Sequence, residues 1–355
     1  MTMNLSLTLA QATNLVATCG MNTTTLLRGQ PGIGKSSILR SLARSMPDYL
    51  PCYVDVANLD LGDLAMPVVD RETMTTSYAP NARFGVSPKQ KRPVLLMLDE
   101  LGKASRPVLN MLLPVILERR LGDLDLPEGS IVFATTNLDT DGVGDNIPAH
   151  AYNRMTVCNI SNPTADEWLQ WAGAHDIAPE VMAFAKQYPN VFDSYADLVD
   201  GEANPYIFDP RKGQVRSFCS PRSLEKASNL IANRAVLGDA LLPALAGTIG
   251  EAAARDMEAL VHLADQIPTL EAIVADPDQC KLPSGVGAYF VMSFMLAGRI
   301  NAENIDAVMT YVKRWEQFEA SALFTTTLAG NAAKFELAYR NRAFTEMCTK
   351  YGKFY

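Results

Sequence analysis

Gly29-Gln30-Pro31-Gly32-Ile33-Gly34-Lys35-Ser36 fits the pattern G-x-x-x-x-G-K-[ST], and its flanks decide how it is read. Leu26-Leu27-Arg28 reads as the end of a short strand and Ser37 to Met46 as a helix, so the glycine-rich turn sits at a helix N-terminus. Backbone N–H groups there lack intrahelical partners and the helix dipole favours negative charge, which suits the turn to phosphate oxygens. Glycine lets the chain wrap around an anion without Cβ atoms in the way. In this pattern the backbone from Gly29 to Ser37 lines the anion, Lys35 reaches the β- and γ-phosphates, and Ser36 offers its hydroxyl to Mg²⁺. The stretch implies a nucleoside triphosphate site in an α/β domain.

Apolar strand-like runs separated by helical stretches extend on both sides of that turn: Thr25–Arg28, Cys52–Val56, Val94–Leu98 and Ile131–Ala134. Short buried strands alternating with helices predict a parallel sheet covered on both faces. A helix is expected over residues 5–20, ahead of the first strand. Between Asp55 and Pro93 lies a long polar interval in which Pro67 to Thr75 predicts a small hairpin turning near Arg71-Glu72. The insertion spans about residues 57–92, a length that in loops is usually functional. From Thr164 the pattern becomes helical: Thr164-Ala165-Asp166-Glu167 caps a helix running to Gly173, and Pro179–Gln187 follows. Residues 188–221 are rich in Pro and Gly, after which Ser223–Leu237, Gly247–Ile267 and Ala302–Tyr339 carry apolar residues at helical spacing. The expected organisation is an α/β nucleotide-binding domain over 1–160, an all-α lid over 161–300 and a helical extension over 301–355.

Two further strands end in polar residues that suit phosphate chemistry. Val94-Leu95-Leu96-Met97-Leu98-Asp99-Glu100 has the Walker B pattern, an apolar strand ending in two acids at the sheet edge where open α/β sheets bind ligands. Asp99 is expected to hold Mg²⁺ through water, and Glu100 to orient and deprotonate the attacking water. Ile131-Val132-Phe133-Ala134-Thr135-Thr136-Asn137 ends in an amide able to bridge the γ-phosphate and that water. The order of P-loop, acidic strand and strand ending in Asn resembles the AAA+ ATPases, in which Asn137 takes the place of sensor 1.

That resemblance implies roles for two arginines. Arg154, in Ile147-Pro148-Ala149-His150-Ala151-Tyr152-Asn153-Arg154-Met155, matches the arginine finger that reaches a neighbouring subunit's nucleotide. Arg222, in Ser220-Pro221-Arg222-Ser223-Leu224, matches sensor 2 at the start of a lid helix. A guanidinium suits both tasks because it stays charged and forks around phosphate oxygens. Arg119 and Arg120, at the end of the helix after Walker B, either face a subunit interface or complement a helix C-terminus. Lys89, Lys91 and Arg92 read as a solvated basic loop, with substrate contact at a ring pore as the lesser alternative.

Within AAA+ proteins the chain resembles the MoxR-like branch. The motifs are Arg28 to Ser36, the hairpin-sized interval after Asp55, Asn153-Arg154-Met155, Ser220-Pro221-Arg222-Ser223-Leu224 and the lid-like tract Gly247 to Ala254. This resemblance implies a homo-oligomeric ring, typically a hexamer, that uses ATP and Mg²⁺ to remodel or activate a protein partner, commonly one with a von Willebrand factor A-like domain. The alternative is a nucleic-acid motor or loader, but a loader more typically carries Ser-Arg-Cys where this chain has Asn153-Arg154-Met155. A nucleotide-dependent scaffold with slow hydrolysis is a third reading, disfavoured by intact Lys35, Asp99 and Glu100.

The bulk composition fits such a protein. At 355 residues the chain is too long for one core. Residues 1–160 carry 14 Lys+Arg against 15 Asp+Glu and residues 161–355 carry 17 against 24, so the acidic surplus lies in the C-terminal half and argues against broad nucleic-acid binding there. The six scattered cysteines and three histidines show no zinc-site spacing and suit free thiols. Met1 to Gln11 lacks the pattern of a signal peptide, and the apolar window Val286 to Ala297 is too short to span a bilayer. A reducing cytoplasm, without membrane attachment, is the expected location.

Overall fold

The computed structural model describes residues 5–138, 147–199, 203–212 and 217–351. It divides into two compact units, Met1–Asn162 and Pro163–Tyr355.

The first unit runs β1 (Ser6–Leu7), α1 (Leu9–Cys19), β2 (Thr25–Arg28), α2 (Ser37–Ser45), β3 (Leu50–Asp55), β4 (Ala65–Asp70), β5 (Thr75–Pro80), β6 (Val94–Asp99), α3 (Arg106–Glu118), β7 (Arg120–Leu121), β8 (Leu124–Asp125), β9 (Ile131–Thr136), α4 (Ala149–Tyr152) and β10 (Thr156–Ile160). Six of these strands form a parallel sheet in the order β1-β10-β2-β9-β6-β3. Alternate residues of the central strands point to opposite faces. Leu26, Leu96, Leu98, Val132 and Ala134 pack with Val108, Leu112 and Ile116 of α3. Their neighbours Leu27, Leu95, Met97, Ile131 and Phe133 pack with Ala12 and Val16 of α1 and with Ile38 and Leu42 of α2. Burial on both faces is why these strands read as unbroken apolar runs.

The helix expected over 5–20 begins later, because Thr8 forms a capping box with Gln11 and the preceding Ser6–Leu7 pairs with β10 as an edge strand. The hairpin is β4–β5, with its turn at 71–74. It is largely exposed on both faces and is tied at its base, where the Tyr78 N–H donates to Asp123 Oδ2 at 2.5 Å. Arg92 is spoken for by structure: its guanidinium donates to the carbonyls of Pro47, Asp48 and Tyr49 at 2.5–2.8 Å, closing the turn between α2 and β3.

The second unit is helical: α5 (Ala165–Ala172), α6 (Pro179–Gln187), α7 (Pro221–Ala232), α8 (Arg234–Leu237), α9 (Leu241–Ile249), α10 (Glu251–Ala264), α11 (Leu270–Ala275), α12 (Val286–Arg299), α13 (Ile305–Lys313), α14 (Phe318–Ala329), α15 (Ala332–Tyr339) and α16 (Arg342–Tyr351). Thr164 caps α5 with a capping box to Glu167. The apolar window at 286–297 is explained by α12, whose Phe290, Val291 and Phe294 enter one core while Tyr289, Met292 and Leu296 enter another. A helix buried on opposite sides is apolar all round. The helix expected over 247–267 is broken at Gly250, whose φ of +90 is closed to most side chains and whose Cβ would lie 2.7 Å from Ser217 O. No single helix among the described residues is long and apolar enough to cross a membrane, and all six cysteines are free.

Candidate active site

The glycine-rich turn joins the end of β2 to the start of α2, as its flanks predicted. Gly32 and Gly34 have φ of +81 and +105, left-handed backbone that lets successive N–H groups curl toward one point. Ile33, buried at 3% exposure, anchors the turn in the core beside Leu27 and Ile38. Ser37 Oγ donates to Gly34 O at 2.6 Å, and Asn162 Nδ2 donates to Gln30 Oε1 at 3.0 Å, holding the turn at both ends.

Lys35 is 8% exposed. Its ammonium donates to Gly29 O at 2.5 Å, Gln30 O at 2.8 Å and Asn137 Oδ1 at 3.0 Å. A buried ammonium requires such partners, and this set joins the P-loop lysine to the end of β9 across 102 positions of sequence. Ser36 caps α2 without bonding its backbone. Its hydroxyl instead donates to Asp99 Oδ2 at 3.3 Å, so hydroxyl and carboxylate oxygens lie side by side. Among the described residues no three His, Cys, Asp or Glu side chains cluster to hold a metal alone. Hard oxygen donors of this kind fit Mg²⁺, which is usually shared between one or two side chains and substrate phosphates.

Asp99 receives two more hydroxyls that its own strand does not announce. Thr135 Oγ1, wholly buried on β9, donates to Asp99 Oδ1. The Tyr53 hydroxyl on β3 donates to Asp99 Oδ2 at 2.8 Å. Partial burial, then the hydrogen bond to and charge of Asp99, raise the Tyr53 pKa above its ordinary value, which keeps the phenol a donor. Glu100 follows with φ +56 and ψ +39, left-handed backbone that costs a non-glycine residue roughly 1 kcal/mol and turns the chain at the strand end. Adjacent carboxylates therefore have separate partners, and that of Glu100 pairs with the Lys103 ammonium, a contact not foreseen from the sequence.

The arginines separate by environment. Arg154 follows α4 and is exposed, and its side chain makes no hydrogen bond or ion pair among the described residues. Arg222 is exposed in the first turn of α7, in the second unit. Arg120 is exposed as well. Arg119 is different: at φ +58 it ends α3, and its guanidinium donates to Ile116 O at 2.5 Å, Thr24 Oγ1 at 2.7 Å and Gly20 O at 2.9 Å. Burial lowers its pKa from the ordinary value. Of the two readings offered for Arg119, the helix C-terminus is the one its contacts support. Arg119→Ala should lower stability by about 2–3 kcal/mol, because carbonyls that accept from a charged donor lose it inside the fold. Urea unfolding measures this, and an unchanged midpoint with lost ATP turnover would return Arg119 to the interface.

Residues 25–157 match the model of the ATPase family associated with various cellular activities (AAA). No curated protein matches the sequence. Among solved structures the chain is similar to RuvB of Thermotoga maritima, a Holliday junction branch migration motor, at 15% identity over 71% of this chain and 68% of that one, with a TM-score of 0.38. It is also similar to NtrX of Brucella abortus in complex with ADP, at 13% identity over 97% of this chain and 67% of that one, with a TM-score of 0.39. These are distant likenesses, whereas the family match runs from β2 to the start of β10 and takes in every site residue named above from Gly29 to Arg154. The chain carries an ATPase domain of the AAA family over residues 25–157 and is an ATP hydrolase.

Proposed function

We propose that this chain is a ring ATPase of MoxR-like type that couples ATP hydrolysis to remodelling or activating a protein partner. The observation that carries the ATPase assignment is a pair of contacts that join the P-loop to two other strand ends, Lys35 to Asn137 at 3.0 Å and the adjacent Ser36 to Asp99 at 3.3 Å. In this reading the 29–37 backbone and Lys35 hold the phosphates, and Ser36 with Asp99 holds Mg²⁺, which would neutralise charge on the phosphates. Asn137 orients the attacking water and Glu100 takes its proton, which requires Glu100 to part from Lys103. Arg154 serves the next subunit's nucleotide.

A protein substrate is favoured over nucleic acid by the β4–β5 hairpin. Met66, Val68, Val69, Met74 and Tyr78 are all at least 46% exposed on it, while its charges are Arg71 against Asp70 and Glu72. Such a surface offers apolar contact and little for phosphates, which need clustered Lys and Arg. The MoxR-like placement and a von Willebrand factor A-like partner rest on the motif resemblance at 28–36, 153–155 and 220–224. ATP turnover in the presence of single- or double-stranded DNA, compared with turnover in the presence of a von Willebrand factor A-like protein, tests the reading. Stimulation by the protein and not by DNA is expected. Several-fold stimulation by DNA alone would make the chain a nucleic-acid motor.

A further inference from the structure

Asp99 is 8% exposed and accepts from three hydroxyls, of which two are accounted for. Ser36 belongs to the P-loop, and Thr135 lies two residues before Asn137 on the neighbouring strand. Tyr53 belongs to neither motif. It comes from β3, the edge strand, and the register explains its reach: Tyr53 pairs with Met97, so Asp99 is its diagonal neighbour on the same face of the sheet. A phenol is long enough to cross that diagonal.

The packing of Tyr53 argues that its hydroxyl, not its ring, is the working part. Cys52 and Val54 on either side enter the core, whereas the Tyr53 side chain stays 51% exposed and joins no core cluster. A ring left half in water adds little to folding, yet its oxygen is fixed 2.8 Å from the same Asp99 oxygen that Ser36 approaches.

We propose that Tyr53 is a positioning residue for the metal side of the nucleotide site, its hydroxyl fixing the rotamer of Asp99 so that a carboxylate oxygen stays beside Ser36. This deepens the reading above and rests on the assignment of Asp99 to Mg²⁺. Partners that orient a metal-holding carboxylate typically matter by about 10- to 100-fold in metal affinity. The effect should therefore appear in metal binding and not in nucleotide binding without metal.

The test uses the full chain and three variants, Tyr53→Phe, Tyr53→Leu and Asp99→Asn, with a non-hydrolysable ATP analogue. Binding of the analogue is measured in EDTA, and Mn²⁺ binding to the analogue-loaded protein is measured by electron paramagnetic resonance of the free ion. Tyr53→Phe, which keeps the ring, is expected to weaken Mn²⁺ binding about tenfold, with analogue binding in EDTA and the melting temperature unchanged. Tyr53→Leu should do the same, and Asp99→Asn should weaken Mn²⁺ more. If Asp99→Asn weakens Mn²⁺ binding while Tyr53→Phe stays within about threefold of the parent, Tyr53 is only an edge-strand residue and the proposal fails alone. If Asp99→Asn also leaves Mn²⁺ binding unchanged, the metal assignment of Asp99 fails and the proposal falls with it.

Discussion

Arg154→Ala is expected to bind ATP nearly as the parent chain does and to hydrolyse it about 10³-fold more slowly or worse, the effect of removing a well-placed arginine finger. The loss falls on turnover because a finger stabilises charge that develops on the γ-phosphoryl group during transfer. Arg154 is suited to act outside its own subunit: it is exposed just after α4, and no carboxylate or carbonyl among the described residues takes its guanidinium. Mixing Arg154→Ala with Lys35→Ala should restore part of the activity, since an interface between an intact P-loop from the first variant and an intact Arg154 from the second is complete. Arg222→Ala mixed with Lys35→Ala should recover nothing if Arg222 serves the nucleotide of its own subunit. Exchange of labelled subunits verifies that mixed rings form. Mixed rings without rescue of Arg154→Ala would transfer the finger role to Arg120, because Arg119 is occupied in closing the end of α3.

The second large effect separates binding from chemistry at the same site. Lys35→Ala should weaken ATP binding about 10²-fold or more, since a buried ammonium lined up with the P-loop carbonyls is a charged donor worth about 3 kcal/mol to a phosphate. Glu100→Gln should bind ATP as tightly as the parent and lose about 10²- to 10⁴-fold in turnover, the usual contribution of a positioned general base. Its ion pair with Lys103 is about one-third exposed on both sides, so deleting the charge should cost the fold at most about 1 kcal/mol. Filter binding of labelled ATP beside phosphate release reads both properties. Equal ATP affinity of Lys35→Ala and the parent would contradict the assignment of Lys35.

What could be read from the sequence follows from how local each signal is. The P-loop, Walker B and the Asn137 strand are contiguous words whose chemistry and periodicity agree, and strands buried on both faces leave unmistakable apolar runs. β10 left no such trace, because Thr156-Val157-Cys158-Asn159-Ile160 is largely exposed and mixes polar with apolar residues. β1 is two residues long and is defined by its partner. Long helical tracts were read without their breaks, since Gly250 is required by a carbonyl at Ser217, which periodicity cannot see. Arg119 posed the same difficulty at the site: its role is set by Gly20 and Thr24, nearly a hundred positions away. Tyr53 was missed because its contact with Asp99 depends on the register of two strands separated by an inserted hairpin. Lys103 sits three residues from Glu100, a spacing that signals contact in a regular helix but not across the sharp turn that a left-handed Glu100 creates.

ATP turnover per subunit, followed as phosphate release across a dilution series with light scattering on the same samples, tests most directly whether the site is completed by a second copy of the chain. Turnover should require Mg²⁺, vanish in EDTA, and fall steeply as dilution takes the rings apart, since assembly responds to concentration by mass action. Full activity per subunit in samples that scatter as monomers would contradict a nucleotide site shared between neighbours.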